Sequence, residues 1–388
     1  MPNTHVLISG ASIAGPALAY WLSRYGFRVT VVERSPALRP GGQAVDFKGR
    51  THHTVLDRMG VREEVHRRRT HPRDQYFVDA NGRRLAAIPA RFTGGDVEIR
   101  RGDLSAILYE RTQDTCEYVF GDSITSITEA GGGVHVTFEH AAPRTFDLVV
   151  GADGIHSNVR RLTFGPESRY VRHLGYYYAL AEISGDFGPD PLLYNEPGRL
   201  VSTGGVDEGA LLVFASAELH YDRHDTAAQR RIVAEAFEGM GWRTREVAGA
   251  LADSPGFYFD SISRVVTDRY AKGRVALLGD AAYSNTMGGF GTGLAMVGAY
   301  VLAGELALAD GDHGTALRRY EERFRGYARI ARKGNAGRFL APPSRRGIRM
   351  RNLLFRSGFL LGWMMRMSDR FATDIDLPDY PSEIARHK

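Results

Sequence analysis

The sequence predicts an α/β protein in which a discontinuous parallel-sheet domain is interrupted by a sheet-rich α+β domain and followed by a C-terminal helix. Three observations predict this arrangement. Residues 6–25 have the pattern of a buried strand, a small-residue turn and a helix. Residues 274–282 return to a buried strand that ends in Gly-Asp, and residues 174–266 between them change to short segments typical of a sheet.

The first unit has the pattern of a Rossmann-like dinucleotide-binding motif. Residues 6–8 form the strand, Gly10, Ser12 and Gly15 form the turn, and apolar residues then recur at helical spacing. A β-branched second strand ends at Glu33, near the offset of about 20 residues at which an acidic group binds a ribose hydroxyl. Ser12 replaces the usual middle glycine, but its hydroxyl can donate to a phosphate. The helix N-terminus presents free N–H groups to a pyrophosphate.

Composition limits the classes of protein that fit this chain. Its 388 residues, 43% hydrophobic and 24% charged, suit about two globular domains. Cys116 is the single cysteine, so no intrachain disulfide forms and a cytoplasmic location is expected. The net charge of +5 is mild, and the arginine clusters lack interleaved aromatic residues, so we expect no nucleic-acid partner. We find no signal peptide.

Residues 353–367 are rich in large apolar side chains. The uncharged run between Arg356 and Arg366 is far shorter than the ~20 residues that span a bilayer, so we expect no membrane span. The favoured interpretation is a helix packed on the protein. A membrane-surface contact or a dimer contact is the alternative, and both a monomer and a homodimer are compatible with the sequence.

The elements before residue 151 follow from local patterns. Proline and glycine predict a loop over residues 35–46, and helical periodicity follows from 51 to 69. Residues 75–99 alternate like a hairpin around Asn81-Gly82, and residues 101–112 form a helix for which Asp103 is the expected N-cap. Four further strands are predicted at residues 118–120, 123–129, 134–139 and 147–150.

The later elements define the domain organisation. Strands at 176–183, 200–203 and 210–216 and a helix at 226–240 form the insertion, and a helix at 294–308 follows the last glycine-rich loop. No phosphate-binding motif occurs in the insertion, so we expect it to hold substrate. The predicted boundaries are 1–70, 100–173 and 268–335 for the nucleotide-binding domain, 75–99 and 174–267 for the substrate domain, and 336–388 for the C-terminal helical segment.

Three motifs together resemble a known family. G-A-S-I-A-G at 10–15, G-A-D-G-I-H-S-N-V-R at 151–160 and R-V-A-L-L-G-D-A-A at 274–282 occur in this order. The chain resembles the class A FAD-dependent aromatic monooxygenases, which have the para-hydroxybenzoate hydroxylase fold. It is most similar to the tetracycline-inactivating and polyketide-hydroxylating members, which implies a role in antibiotic or aromatic metabolism.

The resemblance implies a set of FAD-binding residues. Asp280 would meet the ribitol hydroxyls, the helix start at Gly291 would face the flavin N1–C2 edge, and Arg101, with Arg100 as the alternative, would contact the FAD linker. Asp153 and Gly154 would serve both FAD and NAD(P)H. The complete set is Gly10, Ser12, Ala14, Gly15, Glu33, Arg34, Gln43, Arg101, Asp153, Gly154, Gly279, Asp280, Gly291, Gly293 and Leu294. Arg160 or Arg161 would steer the nicotinamide nucleotide phosphates.

The chain also departs from the family pattern near the flavin. Tyr283 stands where a histidine is usual, Thr292 replaces a glutamine, and residues 283–290 contain no proline. We therefore expect a more mobile loop there. No second G-x-G-x-x-G occurs, so we expect no separate NAD(P)H-binding domain. The resemblance implies that NADPH or NADH binds transiently as a cosubstrate.

The implied reaction is hydroxylation of an aromatic or polycyclic, polyketide-like substrate by molecular oxygen. NAD(P)H reduces the flavin, and a flavin C4a-hydroperoxide transfers its distal oxygen. The chemistry is centred on the flavin, so no catalytic side chain is assigned, although Tyr176, Tyr177, Tyr178 and Arg264 are candidates by position. No metal-ligand spacing occurs among the histidines.

Two alternatives use the same motifs. A Baeyer–Villiger or epoxidising flavin monooxygenase would act on a similar substrate, and a non-catalytic protein would bind FAD or a drug without turnover. A flavin halogenase is disfavoured because no tryptophan lies two residues after Trp21, Trp242 or Trp363, as its W-x-W-x-I-P motif requires.

Overall fold

Four β-sheets and the helices packed on them organise the chain in the computed structural model. The structure describes residues 4–93, 95–183, 187–204, 209–252, 254, 256–329, 333–357, 362 and 375–387. The largest hydrophobic core surrounds a six-stranded sheet, and two further clusters pack on the two faces of a seven-stranded sheet. The predicted α/β class is confirmed.

The six-stranded sheet gives the first core its parallel framework. Its order is β17-β18-β11-β1-β2-β7, and only the β17–β18 pair is antiparallel. Almost every side chain of the central strands is buried, which explains their continuous apolar runs. The strands are β1 (His5–Ser9), β2 (Arg28–Glu33), β7 (Glu117–Phe120), β11 (Leu148–Gly151), β17 (Ala271–Lys272) and β18 (Val275–Leu277).

Two small antiparallel sheets flank this framework. One pairs β3 (Ala44–Phe47) with β6 (Val97–Arg100) and the other has the order β10-β9-β8. The strands of the second sheet are β8 (Ile124–Ala130), β9 (Gly133–Phe138) and β10 (Arg144–Phe146).

The seven-stranded sheet has the order β16-β12-β15-β14-β13-β4-β5 and is antiparallel except for the β13–β4 pair. It joins the 75–88 hairpin to strands that follow residue 170. The strands are β4 (Gln75–Val78), β5 (Arg84–Ile88), β12 (Val171–Ala181), β13 (Leu192–Glu196), β14 (Arg199–Thr203), β15 (Ala210–Ala215) and β16 (Tyr258–Val265). This grouping agrees with the expected insertion, whose boundaries stay a prediction.

Helices pack on the sheets, and one of them follows all the other elements in the chain order. They are α1 (Ala14–Arg24), α2 (Gly49–Met59), α3 (Arg62–Arg67), α4 (Ala90–Thr93), α5 (Arg101–Glu110), α6 (Asn158–Thr163), α7 (Thr226–Ala236), α8 (Thr244–Ala252), α9 (Asp280–Tyr283), α10 (Gly291–Leu308), α11 (His313–Ala328), α12 (Ala336–Leu340), α13 (Arg345–Arg356) and α14 (Tyr380–His387). A 3-10 turn, Glu167–Arg169, precedes β12.

Helix α10 is the central helix of the first core. Among the residues that the structure describes, it is the one helix long and apolar enough to cross a bilayer, but 83% of its length is buried within the protein. It packs against α1, α2, α11 and α14. Its apolar composition is therefore that of a helix enclosed by other elements.

Several sequence predictions need correction. Asp103 is not the N-cap of α5, because the helix already begins at Arg101 and Arg100 occupies the cap position. Residues 90–93 are helical and β6 pairs with β3, so the hairpin ends at Ile88. Strand β13 and helix α8 were not predicted. Most of the apolar stretch 353–367 lies outside the described residues.

Candidate cofactor site

The turn between β1 and α1 brings two backbone segments into contact. Gly10 has a φ of 109°, and a Cβ there would lie 2.5 Å from the Ala152 carbonyl oxygen. A Cβ on Gly15 would overlap the carbonyl oxygen of Gly10. Only glycine therefore fits either position. Ile13 at the N-cap gives α1 no side-chain cap, and no acidic residue occupies the first turn, so the helix N-terminus keeps free N–H donors.

Glu33 lies beside this turn at the end of β2. Its Oε2 accepts a hydrogen bond of 2.8 Å from the Ala11 N–H, and its Oε1 accepts one of 2.9 Å from the Ser35 N–H. These two bonds fix the carboxylate at the mouth of the turn, where the sequence predicts a ribose contact. Arg34, next in the chain, is exposed.

Arg101 approaches the same turn from the start of α5. Its Nε donates to the Ser12 hydroxyl at 3.1 Å, and its backbone N–H donates to the Gln43 carbonyl at 3.1 Å. The Gln43 side chain is exposed. Arg100 instead pairs with Ala44 in the β3–β6 ladder. Of the two neighbouring arginines, Arg101 is the one that contacts the glycine-rich turn.

The third motif meets the first at Gly279. This residue has a φ of 63°, and a Cβ there would lie 3.1 Å from the Ala14 Cβ of α1 and 3.5 Å from the Ala295 Cβ of α10. Asp280 follows, and its Oδ1 lies 3.6 Å from the position of a Cβ on Gly291. Residues about 270 positions apart in the chain thus converge on one cleft.

The exposure and the pKa of Asp280 describe its position in that cleft. Its side chain is exposed to solvent, yet burial in the surrounding protein raises the pKa of its carboxyl, and the charge of Arg101 opposes this rise. A group that is both open to solvent and surrounded by protein lies in a deep, open cleft. The Ser284 hydroxyl donates to the carboxylate, which is exposed and can accept further hydroxyl hydrogen bonds there.

Helix α10 begins beside Asp280 with uncapped donors. Phe290 at the N-cap provides no side-chain hydrogen bond, the first turn contains no acidic residue, and Leu294 N–H is the first donor bound within the helix, to the Phe290 carbonyl at 3.0 Å. Gly291 is exposed, whereas Gly293 and Leu294 are buried. The free N–H groups therefore precede Leu294.

In the 151–160 motif, the Asp153 side chain is hydrogen-bonded to residues of the same motif. Both carboxylate oxygens of Asp153 accept bonds from the first turn of α6, from the Ser157 hydroxyl and from the N–H groups of Asn158 and Val159. Burial raises the pKa of Asp153, and these donors oppose it. In the described structure its side chain holds the turn, while the half-buried Gly154, with φ of 82°, leaves the backbone accessible.

Arg160 is unsuited to the phosphate role considered for it. Its side chain is 0% exposed and donates to the carbonyls of Ala281 and Ile155. It joins α6 to the third motif instead. Arg161 is exposed and is the remaining candidate.

An ion-pair cluster that the sequence did not reveal lies next to this motif. His156 contacts the Glu167 carboxylate through Nδ1 and the Asp260 carboxylate through Nε2, each at 3.1 Å. Burial opposes a charge on the ring, but hydrogen bonds to Asp260 and Glu167 outweigh it and raise the pKa of His156 to about 9. The charged imidazolium therefore links the 151–160 motif to β16.

The cluster also fixes an aromatic side chain of β16. Tyr258 is 42% exposed, its hydroxyl donates to Asp260 at 2.9 Å, and its ring lies 5.8 Å from that of Tyr178. Burial raises the pKa of Tyr178, which also responds to the charges of Arg101 and Asp280. Tyr258 and Tyr178 therefore lie beside the cleft.

The other candidate catalytic side chains, Tyr176, Tyr177 and Arg264, pack against or hydrogen-bond to other parts of the protein. The Tyr177 ring packs with the rings of Phe214 and Phe259, and its hydroxyl accepts from the Leu219 N–H at 2.8 Å. Tyr176 packs against Gly337. The Arg264 guanidinium donates to the Gly334 carbonyl.

The loop without proline is tied to β16. Val265 N–H donates to the Ser284 carbonyl and Thr286 N–H to the Ser263 carbonyl, each at 3.0 Å, and Arg264 and Asn285 form an isolated bridge. These bonds attach residues 284–286 to the edge of the seven-stranded sheet. The greater mobility expected for residues 283–290 stays a prediction.

The donor set fits the FAD implied by the sequence. Free N–H groups suit a pyrophosphate and a flavin carbonyl edge, two carboxylates suit ribose and ribitol hydroxyls, and Arg101 carries the positive charge between them. Within the described ranges, no group of three or more His, Cys, Asp or Glu side chains is placed to hold a metal ion.

Known proteins support this interpretation. Residues 3–331 match the FAD binding domain family. An uncharacterized protein of Mycobacterium tuberculosis is 42% identical over 83% of this chain and 90% of its own length. A flavin-dependent monooxygenase of Legionella longbeachae is 35% identical over 84% and 86%.

Solved structures agree along the whole chain. Tetracycline destructase Tet(51) is 32% identical with a TM-score of 0.81, and the match covers 98% of this chain and 100% of that one. Tetracycline destructase Tet(55) is 34% identical with the same TM-score, covering 97% and 98%. The chain therefore belongs to the FAD binding domain family and is a FAD-dependent monooxygenase.

Proposed function

We propose that the protein uses NAD(P)H and molecular oxygen to hydroxylate an aromatic or polycyclic, polyketide-like substrate. The observation that carries this proposal is the convergence of the three motifs: Gly10 of the first approaches Ala152 of the second, and Gly279 of the third approaches Ala14 of the first. The full-length similarity to two tetracycline destructases supports the substrate class. A cytoplasmic location and a monomeric or homodimeric state are part of the same proposal.

Each side of the cleft has a proposed role. The N-terminus of α1 binds the pyrophosphate, Glu33 a ribose hydroxyl and Asp280 the ribitol chain, while the N–H groups of α10 face the flavin N1–C2 edge. When bound, FAD supplies the oxygen-activating chemistry, with the C4a-hydroperoxide as the predicted oxygen donor. The remaining predicted contacts are Gly10, Ser12, Ala14, Gly15, Arg34, Gln43, Arg101, Asp153, Gly154, Gly279, Gly291, Gly293 and Leu294.

The substrate is proposed to bind between this cleft and the seven-stranded sheet. Tyr258 presents an exposed ring there, and its hydroxyl is held by the buried Asp260. A fixed aromatic face suits a planar ligand, because rings stack favourably at offset distances. The protein thus orients the substrate and limits water, and it needs no covalent nucleophile.

An anaerobic titration of the purified protein with NADPH tests the proposal. We expect a bound flavin spectrum that bleaches, in the presence of a phenol or polyketide if not in its absence. Oxygen uptake and product analysis then follow, and the mass and position of the added oxygen distinguish hydroxylation from Baeyer–Villiger or epoxide products. Bound flavin that never bleaches with any ligand would contradict the NAD(P)H role, and failure to bind added FAD would contradict the site.

Asp280→Ala tests the site at one residue. Losing the carboxylate removes the proposed ribitol contact, so the variant should lose FAD during purification. Asp268→Ala, which removes an exposed carboxylate a few residues before β18, is the matched control and should stay yellow. Full flavin retention by Asp280→Ala would remove Asp280 from the site.

A further inference from the structure

The first turn of α10 is intrinsically weak. Gly291 and Gly293 both lie in it, and glycine costs about 1 kcal/mol relative to alanine in a helix interior. No side chain caps the turn. Its backbone N–H groups can face a ligand in a fixed direction only if another part of the protein holds the turn in place.

His52 of α2 lies directly beneath this turn. A Cβ built on Gly293 would overlap three atoms of the imidazole ring, so the glycine backbone rests on the ring at van der Waals contact. His52 is 3% exposed and Gly293 is buried. No side chain other than hydrogen fits between them.

The ring of His52 is itself held from both sides. Its Nδ1 accepts the Lys48 N–H at 3.0 Å, so its Nε2 carries the proton and donates to the Tyr327 hydroxyl at 3.1 Å. Burial lowers the pKa of His52 to about 4, and the ring is therefore neutral at neutral pH. The imidazole joins α2, α10 and α11 at one point.

We propose that His52 is a positioning residue for the cofactor: it fixes the first turn of α10 so that the turn's free N–H groups point at the flavin. This inference rests on the proposed function, because it takes the N1–C2 edge of FAD to lie at this helix start. Experiments can nevertheless test the role of His52 separately from the proposed function.

The first experiment compares sulfite binding by the oxidised holoenzymes. Sulfite adds to flavin N5 and leaves negative charge at the N1–C2 edge, so its dissociation constant reports how well the α10 N–H groups stabilise that charge. His52→Gln can keep both hydrogen bonds but lacks the flat ring under Gly293. We expect sulfite to bind about tenfold or more weakly to this variant, a change of about 1.4 kcal/mol.

The neighbouring histidine supplies a matched control. His53 lies on the same helix, and its ring contacts Asp96 instead of α10. His53→Gln should bind sulfite within about twofold of the wild-type protein, since a factor of two is only about 0.4 kcal/mol. Equal sulfite affinity in wild type and His52→Gln would overturn the inference, whereas a wild type that binds no FAD would overturn the proposed function.

A second experiment needs no bound cofactor. Gly293→Ala should lower the Tm strongly in the wild-type background because its Cβ overlaps His52, and much less in the His52→Ala background. This non-additivity is the expected result for groups in contact. Additive Tm losses would show that Gly293 does not rest on the ring, and would overturn the inference even if FAD binds.

Discussion

At the scale of single residues, Glu33 combines two duties. Its carboxylate oxygens accept the Ala11 and Ser35 N–H groups and also lie where a ribose is expected. Hydrogen bonds to charged groups contribute about 1.5–3 kcal/mol each. Glu33→Ala should therefore raise the FAD dissociation constant by about ten- to a hundredfold, measured by quenching of FAD fluorescence.

Glu33→Gln is the control for that change. It keeps one acceptor oxygen and the side-chain volume, so its FAD affinity should lie between those of wild type and Glu33→Ala. An unchanged dissociation constant in Glu33→Ala would refute the ribose contact.

The sequence predicted residues with a local signature and missed those defined by packing. Gly10 and Glu33 follow from the strand-turn-helix pattern, because backbone geometry fixes their spacing, whereas the role of Asp280 is implied by the family resemblance. His52 and His156 have no such signature. Their partners are Tyr327, Gly293, Glu167 and Asp260, which lie up to 275 positions away, so only the folded chain brings them together.

At the scale of elements, α14 depends on one buried side chain. Tyr380 packs on Gly304 of α10, where a Cβ would overlap its ring, and its hydroxyl donates to Glu305 at 2.7 Å. Glu305 is buried and also accepts from Arg323 at 2.9 Å. The last helix is thus anchored to the central helix of the core.

Tyr380→Phe should lower the free energy of unfolding by about 1–3 kcal/mol, because buried Glu305 loses a donor while the packing stays intact. Denaturant unfolding measures the change. Ser382→Ala, at an exposed position of the same helix, should leave stability within about 0.5 kcal/mol of wild type. Equal stability of the two variants would contradict the anchoring role of the hydroxyl.

Element types were predicted better than element boundaries. Long apolar or alternating runs predicted β1, β12 and α10, because burial imposes a regular spacing on the apolar residues of these elements. Strand β13 was missed although β14 follows it closely and pairs with it; its parallel pairing with the distant β4 has no local signature. The hydrogen bonds between residues 284–286 and β16 were not predicted, because local composition does not reveal them.

At the scale of the whole molecule, the His156 cluster joins the two main sheets. It connects the end of β11 to β12 and β16 through Glu167 and Asp260. The folded-state pKa of about 9 lies above the usual 6.5. The stabilisation is therefore complete below about pH 6.5 and is lost as pH rises through about 9, and it amounts to about 3 kcal/mol at most.

His156→Gln should flatten the loss of stability between about pH 6.5 and 9 that the wild-type protein shows, because the titrating group is gone. Thermal unfolding across this range checks the expectation. His313→Gln, at a partly exposed position outside the cluster, should keep the wild-type profile. A wild-type Tm that is level over this range would argue against a charged His156.

The contact of Gly279 with Ala14 and Ala295 also constrains biosynthesis. The ribosome releases the first motif almost 270 residues before the segment that completes the cleft. Helix α10, which fills the centre of the core, emerges later still. The nascent chain must therefore keep its N-terminal βα unit soluble without the helix that will cover it, and the proposed FAD cleft is complete only after residues 279–295 have emerged.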